Sequence, residues 1–579
     1  MILTDQPGAL VADSLLGPRP DTTSAQPRRA RSCHVPDEHH RPSDNDPGSV
    51  SEPQAPAHPL PPAAGSTSRR RWSRRQVLGL TGGTAGGLAV LAAAGGTGYR
   101  IGVHRTVASG KAASSAAVSV VSYRSRPDLA PPPVTLSRSS TRRVQPTADP
   151  PYYFLAPKQY TSATPTYQSG PMILDRAGHV VWFTPTDSDG HLVMDFRAQT
   201  YRGQPVLTWW EGTSANGHGQ GAGKIVGPDY TTVATVHAAD GLDADLHEFR
   251  ITARNTALLT AYRKTTTDLT GIGGRSDNAI LSGVVQEIDI ATGKLLFSWD
   301  SLDHVDPSES YLDPTTNADD VLDYFHINSI DRTSENELLI SARNTCTIYS
   351  VDKTTGKINW RLGGTASDFT HGAGTRFYFQ HCATWRDTSH LMVFDNGSSP
   401  AKEEQSRGLI LQLDIKARKV TLTRAFTHPA KLLADSQGSI QRLGNRTYLV
   451  GWGAEPYFSE FAADGTLLLD AKLPDNVQSY RTLAGDWTGK PRDDPKMSIG
   501  SNAARGATAY LSWNGATDVA RWRVRAGSKP EELSHHATAS RSGFETAVAV
   551  NSTGPYFQGI ALDSAGAELG RTETVHATF

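Results

Sequence analysis

The sequence predicts an all-β protein, with a six-bladed β-propeller at residues 151–485 and a small β-sandwich at 486–579. One observation is a strand, Asp-containing turn and strand unit that recurs at residues 287–300, 349–364, 411–426 and 459–473. Another is spacing, because His326 and His381 lie 55 residues apart, and His381 and Ser439 lie 58 apart. A repeat of roughly 50 residues is typical of propeller blades rather than helical solenoids.

Composition narrows the class of partner. The 579 residues include 57 basic and 58 acidic side chains, for a net charge of -1, and no basic stripe follows the repeats. We therefore expect no nucleic-acid partner. The 53 glycines favour many short strands joined by tight turns.

The segment before the repeats has three parts. Residues 1–68 are polar and Pro-rich, which predicts a disordered leader or a start codon assigned too far upstream. Residues 69–110 hold Arg74-Arg75 before a weakly apolar run, and they resemble a twin-arginine signal rather than an internal basic linker. This predicts export to the cell envelope or beyond, with a retained N-terminal membrane anchor as an alternative to cleavage. The composition of residues 111–150 predicts an extended Pro-rich arm.

The C-terminal segment alternates in polarity. Trp522 and Val524 alternate with Arg521 and Arg523, as in a half-buried strand. We expect a fibronectin-III or immunoglobulin-like sandwich with Trp513 and Trp522 in its core, and no catalytic role.

Three histidines recur in register, each at a strand-like run: His247, His326 and His381. Arg343 lies just downstream of the second. An isolated histidine is more often structural than catalytic, but equivalent positions of successive blades point at one shared axis. The spacing predicts a converging site.

The segments around these residues resemble the arylsulfotransferase family, most closely its branch shared by actinobacteria and fungi. The resemblance runs from about Arg126 to the C-terminus through "HEF", "DYFHINSI", "ISARNT", "WRLGG", "QHCA", "FDNG" and "VGWG". It implies a six-bladed propeller, a site in the central channel, an aryl sulfate donor, a phenol acceptor and a transient sulfohistidine. By position it implies that His381 is the nucleophile. The residues that it assigns to sulfuryl binding are His247, His326, Asn328 and Arg343, with Ser439 as the nearest match to an expected hydroxyl.

The chemistry agrees with these residue types. A sulfuryl group in transfer spreads negative charge over three oxygens, which Arg343 and the histidines can meet with N–H donors. His381 must be neutral to attack sulfur, and a nearby arginine favours that form. The alternative is a non-catalytic propeller that binds a small anion or glycan in the same channel. No Gly-rich phosphate cradle occurs, so no nucleotide cofactor is expected.

Two further features leave alternatives open. Cys346 and Cys382 flank the predicted site and are either bridged or two buried free thiols. The acidic insertion at 300–323 is either a Ca²⁺ site or, as we expect from its spacing, a solvated lid. We predict no metal site. We make no prediction of the oligomeric state from the sequence.

Overall fold

The structure, a computed structural model, describes residues 122–139, 150–159, 167–186, 190–315, 321–334, 336–444, 446–502 and 506–579. Within these ranges the protein consists of mostly antiparallel β-strands. Its helices there are single 3-10 turns at Thr270–Ile272, Ser301–Asp303 and Pro307–Glu309. No helix in the described ranges is long and apolar enough to cross a membrane. The all-β prediction is confirmed.

The repeated region runs from β1 to β27. Its strands begin with β1 (Thr135–Arg138), β2 (Tyr152–Gln159), β3 (Met172–Asp175), β4 (Val180–Phe183), β5 (Leu192–Tyr201), β6 (Gln204–Ala215), β7 (His218–Val226), β8 (Thr232–Val236) and β9 (Ala244–Ile251). They continue with β10 (Thr256–Thr267), β11 (Asn278–Asp289), β12 (Leu295–Asp300), β13 (Val321–Leu322), β14 (Ile327–Ser334), β15 (Glu337–Ala342), β16 (Thr347–Asp352), β17 (Ile358–Gly363) and β18 (Thr370–His371). They end with β19 (His381–Asp387), β20 (His390–Asp395), β21 (Arg407–Asp414), β22 (Lys419–Phe426), β23 (Ser439–Arg442), β24 (Tyr448–Gly451), β25 (Tyr457–Phe461), β26 (Leu467–Lys472) and β27 (Val477–Gly485).

These strands form antiparallel groups of four. The groups are β5–β8, β9–β12, β14–β17, β19–β22 and β23–β26, while β27 pairs with β2 to complete the group β27-β2-β3-β4. The first two groups share one sheet through the pair Gly221 and Ala244. We call β5, β9, β14, β19, β23 and β27 the leading strands, since each stands at one end of its group.

The turns of the predicted outer hairpins explain why the motif recurs. Asp289 Oδ1 accepts hydrogen bonds from the backbone N–H and hydroxyl of Thr292, and Asp352 does the same with Thr355. The glycine that follows each threonine has a φ of 72°. Such a left-handed position suits glycine, so the Asp-x-x-Thr-Gly pattern fixes the turn.

Hydrogen bonds link each leading strand to the next one along the chain, and the last leading strand to the first. Side chains of β5, β9 and β14 each accept a hydrogen bond from a backbone N–H of the next leading strand: Asp195 from Phe249, Glu248 from Ile330, and Asp331 from Trp385. His381 of β19 accepts from the N–H of Gln437, just before β23, and Ser439 bonds Thr482 of β27. Arg481 of β27 donates to Asp195 of β5 at 2.8 Å, which links the last leading strand to the first.

The C-terminal segment holds β28 (Lys496–Asn502), β29 (Gly506–Ser512), β30 (Arg521–Gly527), β31 (Ser534–Ser540), β32 (Glu545–Asn551), β33 (Tyr556–Leu562), β34 (Glu568–Arg571) and β35 (Val575–His576). They form two sheets, β28-β29-β32 and β31-β30-β33-β34, with β35 pairing β33. Leu511, Val548, Trp522 and Phe557 from both sheets share one apolar cluster. Trp522 is a core residue as predicted, whereas Trp513 is only partly buried.

The leader, the twin-arginine segment and Cys33 lie outside the described residues. Of the predicted arm, β1 pairs with β26 and so adds an edge strand to the β23–β26 group. Farther up the arm, the Ser125 hydroxyl donates to Glu545 of β32 at 2.5 Å.

The acidic insertion is not uniformly solvated. Asp300 and Asp306 cap the two 3-10 turns by accepting from the N–H groups of Leu302 and Ser308. Asp323, expected in a solvated lid, instead lies against two histidine rings with its side chain 16% exposed. The lid interpretation is therefore wrong for Asp323, because two imidazole rings hold that carboxylate and cover most of its surface.

Candidate active site

The structure places the three predicted histidines on successive leading strands. His247 lies within β9, His326 immediately precedes β14, and His381 is the first residue of β19. The rings of His247 and His326 are 4.8 Å apart between centroids. The strands β9, β14 and β19 each carry a bulge or register shift at this end, and His381 directly precedes one at Cys382, whose φ is 53°. Bulges of this kind re-aim side chains beside functional sites.

His247 is held by a carboxylate on its own strand. Its Nδ1 lies 2.6 Å from Oδ2 of Asp245, which also accepts the backbone N–H of His247. The other carboxylate oxygen accepts from the N–H of Gly219 at 2.7 Å. Asp245 thus fixes the ring with Nδ1 as donor, which leaves Nε2 for another partner.

His326 has a similar partner that is shared with another histidine. Its Nδ1 lies 2.5 Å from Oδ2 of Asp323, and Nε2 of His218 lies 3.0 Å from the same oxygen. Although burial opposes it, the two imidazoles hold the pKa of Asp323 well below its usual range. The three ligand-type atoms lie within 4.8 Å of one another, so His218, Asp323 and His326 could hold a divalent cation.

His381 has an uncharged partner. Its Nδ1 lies 2.7 Å from Oδ1 of Asn396, whose amide donates to the carbonyls of Ala434 and Gln437. Those two bonds orient the amide with its oxygen toward the ring, so Nδ1 carries the proton. Nε2 then presents a lone pair, which accepts the Gln437 N–H at 3.2 Å.

The charge state of His381 follows from its surroundings. The residue is 1% exposed. Burial, followed by the Arg343 guanidinium, holds the pKa of His381 well below the usual imidazole range. The arginine acts in the predicted direction, but burial is the larger cause.

Arg343 lies against His326 and an aromatic ring. Its backbone N–H donates to the His326 carbonyl at 2.9 Å, which fixes its place beside β14. The guanidinium donates to Asn344 Oδ1 and to the Asp435 carbonyl, and it stacks 5.0 Å from the centroid of Phe379. Phe379 is fully buried, so it supports the arginine.

Asn328 and Ser439 are both occupied by backbone groups. The Asn328 amide donates to the Gln380 carbonyl at 2.6 Å, and its Oδ1 has no partner among the described residues. The Ser439 hydroxyl donates to the Thr482 carbonyl at 3.0 Å and accepts the Thr482 N–H. Their predicted contacts with a sulfuryl group stay predictions.

Cys346 and Cys382 are free buried thiols, so the bridge alternative is wrong. The two thiols have different neighbours. Cys346 Sγ accepts the Phe379 N–H at 3.4 Å, and burial raises the pKa of this thiol to about 12. Cys382 instead lies near Tyr480 and Arg481.

Sequence reasoning missed the partners of the histidines. Two of them had a local signal, because Asp245 stands two residues before His247 and Asp323 three before His326. Asn396 lies 15 residues beyond His381, and His218 lies 105 residues before Asp323, so only the fold brings these pairs together.

Comparison with known proteins finds a protein family that matches the part of the chain containing this site. Residues 197–473 match the Arylsulfotransferase (ASST) family. The match begins within β5 and ends just after β26, and every predicted site residue falls inside it. It supports aryl sulfotransferase activity, with an aryl sulfate and a phenol as substrates. A search of curated proteins finds no match to this sequence.

Several solved structures are similar to this chain at low sequence identity. A protein of unknown function from Bacteroides caccae is 11% identical with a TM-score of 0.35, over 58% of this chain and 98% of that one. A catalytically inactive virginiamycin B lyase from Staphylococcus aureus with quinupristin is 8% identical with a TM-score of 0.30, over 66% and 97%. The Cps50 β-propeller domain from Myceliophteria thermophila is 10% identical with a TM-score of 0.28, over 56% and 97%.

Proposed function

We propose that this protein is a nucleotide-independent aryl sulfotransferase that moves a sulfuryl group from an aryl sulfate to a phenol through a sulfohistidine on His381. One observation carries the proposal most strongly. Among the three histidines, His381 alone has an uncharged amide at Nδ1, and its pKa is held low by burial and Arg343. A neutral imidazole with its lone pair on Nε2 is the form needed for attack on sulfur.

We also propose the architecture that brings these residues to one axis. The closed order of contacts among the leading strands supports a six-bladed propeller with β27 closing the first blade. The shared core of the two C-terminal sheets supports a β-sandwich there. Export through the twin-arginine route is a further proposal, supported by Arg74 and Arg75 alone.

The first half-reaction forms the sulfo-enzyme. Nε2 of His381 attacks sulfur, the bond from sulfur to the aryl oxygen breaks, and the phenolate leaves with the electron pair. The Gln437 N–H that occupies Nε2 must give way, and it then stands beside the arriving sulfuryl oxygens. A preformed donor at this place would stabilise the developing charge.

Hydrogen-bond donors around His381 supply the remaining stabilisation. Arg343 presents a planar guanidinium fixed by Asn344 and Phe379, and His247 presents a ring oriented by Asp245. Such donors do not need to reorganise as charge moves onto the sulfuryl oxygens. In the second half-reaction the phenol oxygen attacks sulfur while its proton passes to His247 or His326, and the electron pair of the breaking S–N bond returns to Nε2 of His381.

The intermediate gives the decisive test. After a pulse of aryl sulfate without acceptor, the intact mass should rise by one sulfuryl group, and peptide mapping should place it on His381. A phenol should then discharge it. His381→Ala should lose adduct and turnover, whereas His536→Ala, at an exposed site in β31, should keep both.

Two results would contradict the proposal. An adduct on His247 or His326 would overturn the assignment of the nucleophile. Failure of a broad set of aryl sulfates to form any adduct would favour the binding-module alternative, in which the channel holds a small anion or glycan without transferring a group.

A further inference from the structure

Lys158 is a buried lysine that the sulfuryl-transfer steps above do not use. It lies in β2 and is 2% exposed. Its Nζ donates a hydrogen bond to Oε1 of Gln437 at 2.6 Å, although the two residues are 279 positions apart in sequence. Lysine side chains are rarely buried to this extent, because desolvation of the amine is costly. The contact with Gln437 is therefore a specific feature of this part of the fold.

The side chain of Gln437 is held at both ends. Its Oε1 accepts from Lys158, and its Nε2 donates to Oε1 of Gln478 at 3.1 Å. Lys158 and Gln478 are partners in the pairing of β2 with β27, next to a register shift between Leu155 and Pro157. A donor at one end of the amide and an acceptor at the other fix its orientation.

The backbone of Gln437 contacts both sides of the His381 ring. Its N–H donates to Nε2 at 3.2 Å, and its carbonyl accepts from Nδ2 of Asn396 at 3.0 Å. Oδ1 of Asn396 then lies 2.7 Å from Nδ1 of His381, so the three residues close a ring of hydrogen bonds around the imidazole. Gln437 has a φ of 66°, which is uncommon for a residue other than glycine. Such a conformation persists only where surrounding contacts over-determine it, so the contacts of the Gln437 side chain affect the geometry at His381.

Resting on the proposed function, we propose that Lys158 is a positioning residue for the nucleophile, which acts through the Gln437 side chain to hold the backbone N–H that faces Nε2 of His381. In the resting protein this N–H meets the lone pair of Nε2. Once Nε2 attacks sulfur, the same N–H stands beside the arriving sulfuryl oxygens, where a preformed donor lowers the barrier. Lys158 forms no bond with the substrate and transfers no proton, so the bonds made and broken in each half-reaction are unchanged.

The contact between Lys158 and Gln437 does not depend on charge. Burial lowers the pKa of Lys158 to about 7. The amine carries N–H groups in either protonation state, and Oε1 of Gln437 can accept from both. The role assigned to Lys158 is therefore geometric.

Lys158→Met tests the proposal, because methionine is similar in length and donates no hydrogen bond. With saturating aryl sulfate and no acceptor, formation of the His381 adduct should slow about 10- to 100-fold, as for a small misplacement of a catalytic group. The aryl sulfate concentration that gives half the maximal rate should change little, since the N–H meets the sulfuryl oxygens only as they arrive. Gln437→Met removes the same bond from a half-buried position and should slow the reaction equally. Lys419→Met, at an exposed site in β22, is the control and should react at the native rate.

The double variant separates action through Gln437 from direct action on the substrate. If Lys158 acts through Gln437, Lys158→Met combined with Gln437→Met should form the adduct no more slowly than either single variant. Rate losses that multiply in the double variant would overturn the proposal, because Lys158 would then act on the substrate independently of Gln437. A native rate in Lys158→Met would overturn it as well.

A measurement without substrate distinguishes failure of this proposal from failure of the proposed function. In ¹⁵N NMR of labelled histidines, with His381 assigned from its missing signals in His381→Ala, the Nε2 resonance should move downfield in Lys158→Met. That is the direction expected when a ring nitrogen loses a hydrogen bond to its lone pair. An unchanged resonance in a variant whose circular dichroism matches that of the native protein would overturn the role of Lys158 alone. A native protein that never forms the adduct would instead overturn the sulfotransferase assignment, whatever the NMR spectra show.

Discussion

At the residue scale, each site histidine has a hydrogen-bond partner at Nδ1, and the partners differ in charge. His247 and His326 face carboxylates, while His381 faces an amide. A carboxylate favours the protonated ring and an amide does not. The same residue type can therefore serve as a hydrogen-bond donor to an anion, as a base or as a nucleophile within one site.

Asn396→Asp tests this division of roles. The new carboxylate should raise the pKa of His381, so less of it is neutral at pH 7 and turnover falls there. Because a raised pKa leaves the neutral form above it, activity should recover as the pH increases. The measurement is the pH profile of kcat/KM with a chromogenic aryl sulfate.

Asn396→Ala is the matched control for that substitution. It removes the ring's acceptor without adding charge, so it should lower kcat/KM by ~10²-fold or more at every pH, with no upward shift of the profile. Two profiles that fall in parallel would mean that the charge of the partner does not matter. Circular dichroism would show whether each variant keeps its β-structure.

At the element scale, the hairpins could be predicted from sequence and the partners across groups could not. The Asp-x-x-Thr-Gly turns near Asp289 and Asp352 are local, because a side chain bonds the backbone three residues on. His218 reaches Asp323 only because β6 and β7 are long and their group precedes that of His247. No local pattern encodes a contact that depends on the placement of two groups.

The same limit explains why two residues predicted to bind the sulfuryl group are hydrogen-bonded to the backbone of other strands. Ser439 lies where its strand begins, as expected, but the next leading strand brings Thr482 against its hydroxyl. Asn328 likewise meets the Gln380 carbonyl from the neighbouring strand. Register along the chain predicts which residues share an axis, whereas their hydrogen-bond partners come from strands distant in sequence.

Gly219→Ala should displace the β6–β7 hairpin. A Cβ there would lie 2.6 Å from the Leu246 nitrogen and from the buried ring of Trp210, so the strand must move off Asp245. We expect about 1–3 kcal/mol of destabilisation in urea unfolding, together with lower turnover. Gly271→Ala is the control, since nothing lies within 4 Å of that Cβ. Equal effects of both substitutions would refute the close approach.

At the scale of the whole molecule, a buried ion network joins three of the leading strands, β5, β9 and β27. Arg481 of β27 bonds Asp195 of β5 at 2.8 Å and Glu248 of β9 at 3.0 Å. Arg197 also contacts both carboxylates. Its members at the centre, Asp195, Glu248 and Arg481, are at most 3% exposed. Pairs this deep stabilise only while each charge keeps its partner.

Removing Arg481 should therefore be costly. Arg481→Met leaves Asp195 and Glu248 with less positive charge, and we expect a loss of about 3–5 kcal/mol in the free energy of unfolding. Arg492→Met is the comparison, because Arg492 pairs with Asp229 at 2.7 Å with its side chain 72% exposed. An exposed pair of this kind contributes about 1 kcal/mol or less.

Acid should distinguish the network from simple packing. Burial alone would raise the pKa of Glu248, but Arg481, Arg197 and Arg250 lower it to about 2. A depressed pKa means that this stabilisation is complete above the unfolded value, ~4.3, and is lost as the pH falls toward 2. Without Arg481 the pKa of Glu248 should rise. Acid unfolding of Arg481→Met, followed by tryptophan fluorescence, should then begin at a higher pH than in the native protein, whereas Arg492→Met should follow the native curve. If Arg481→Met is destabilised by the same amount at every pH between 2 and 7, its loss acts through packing and the charges do not hold the leading strands together.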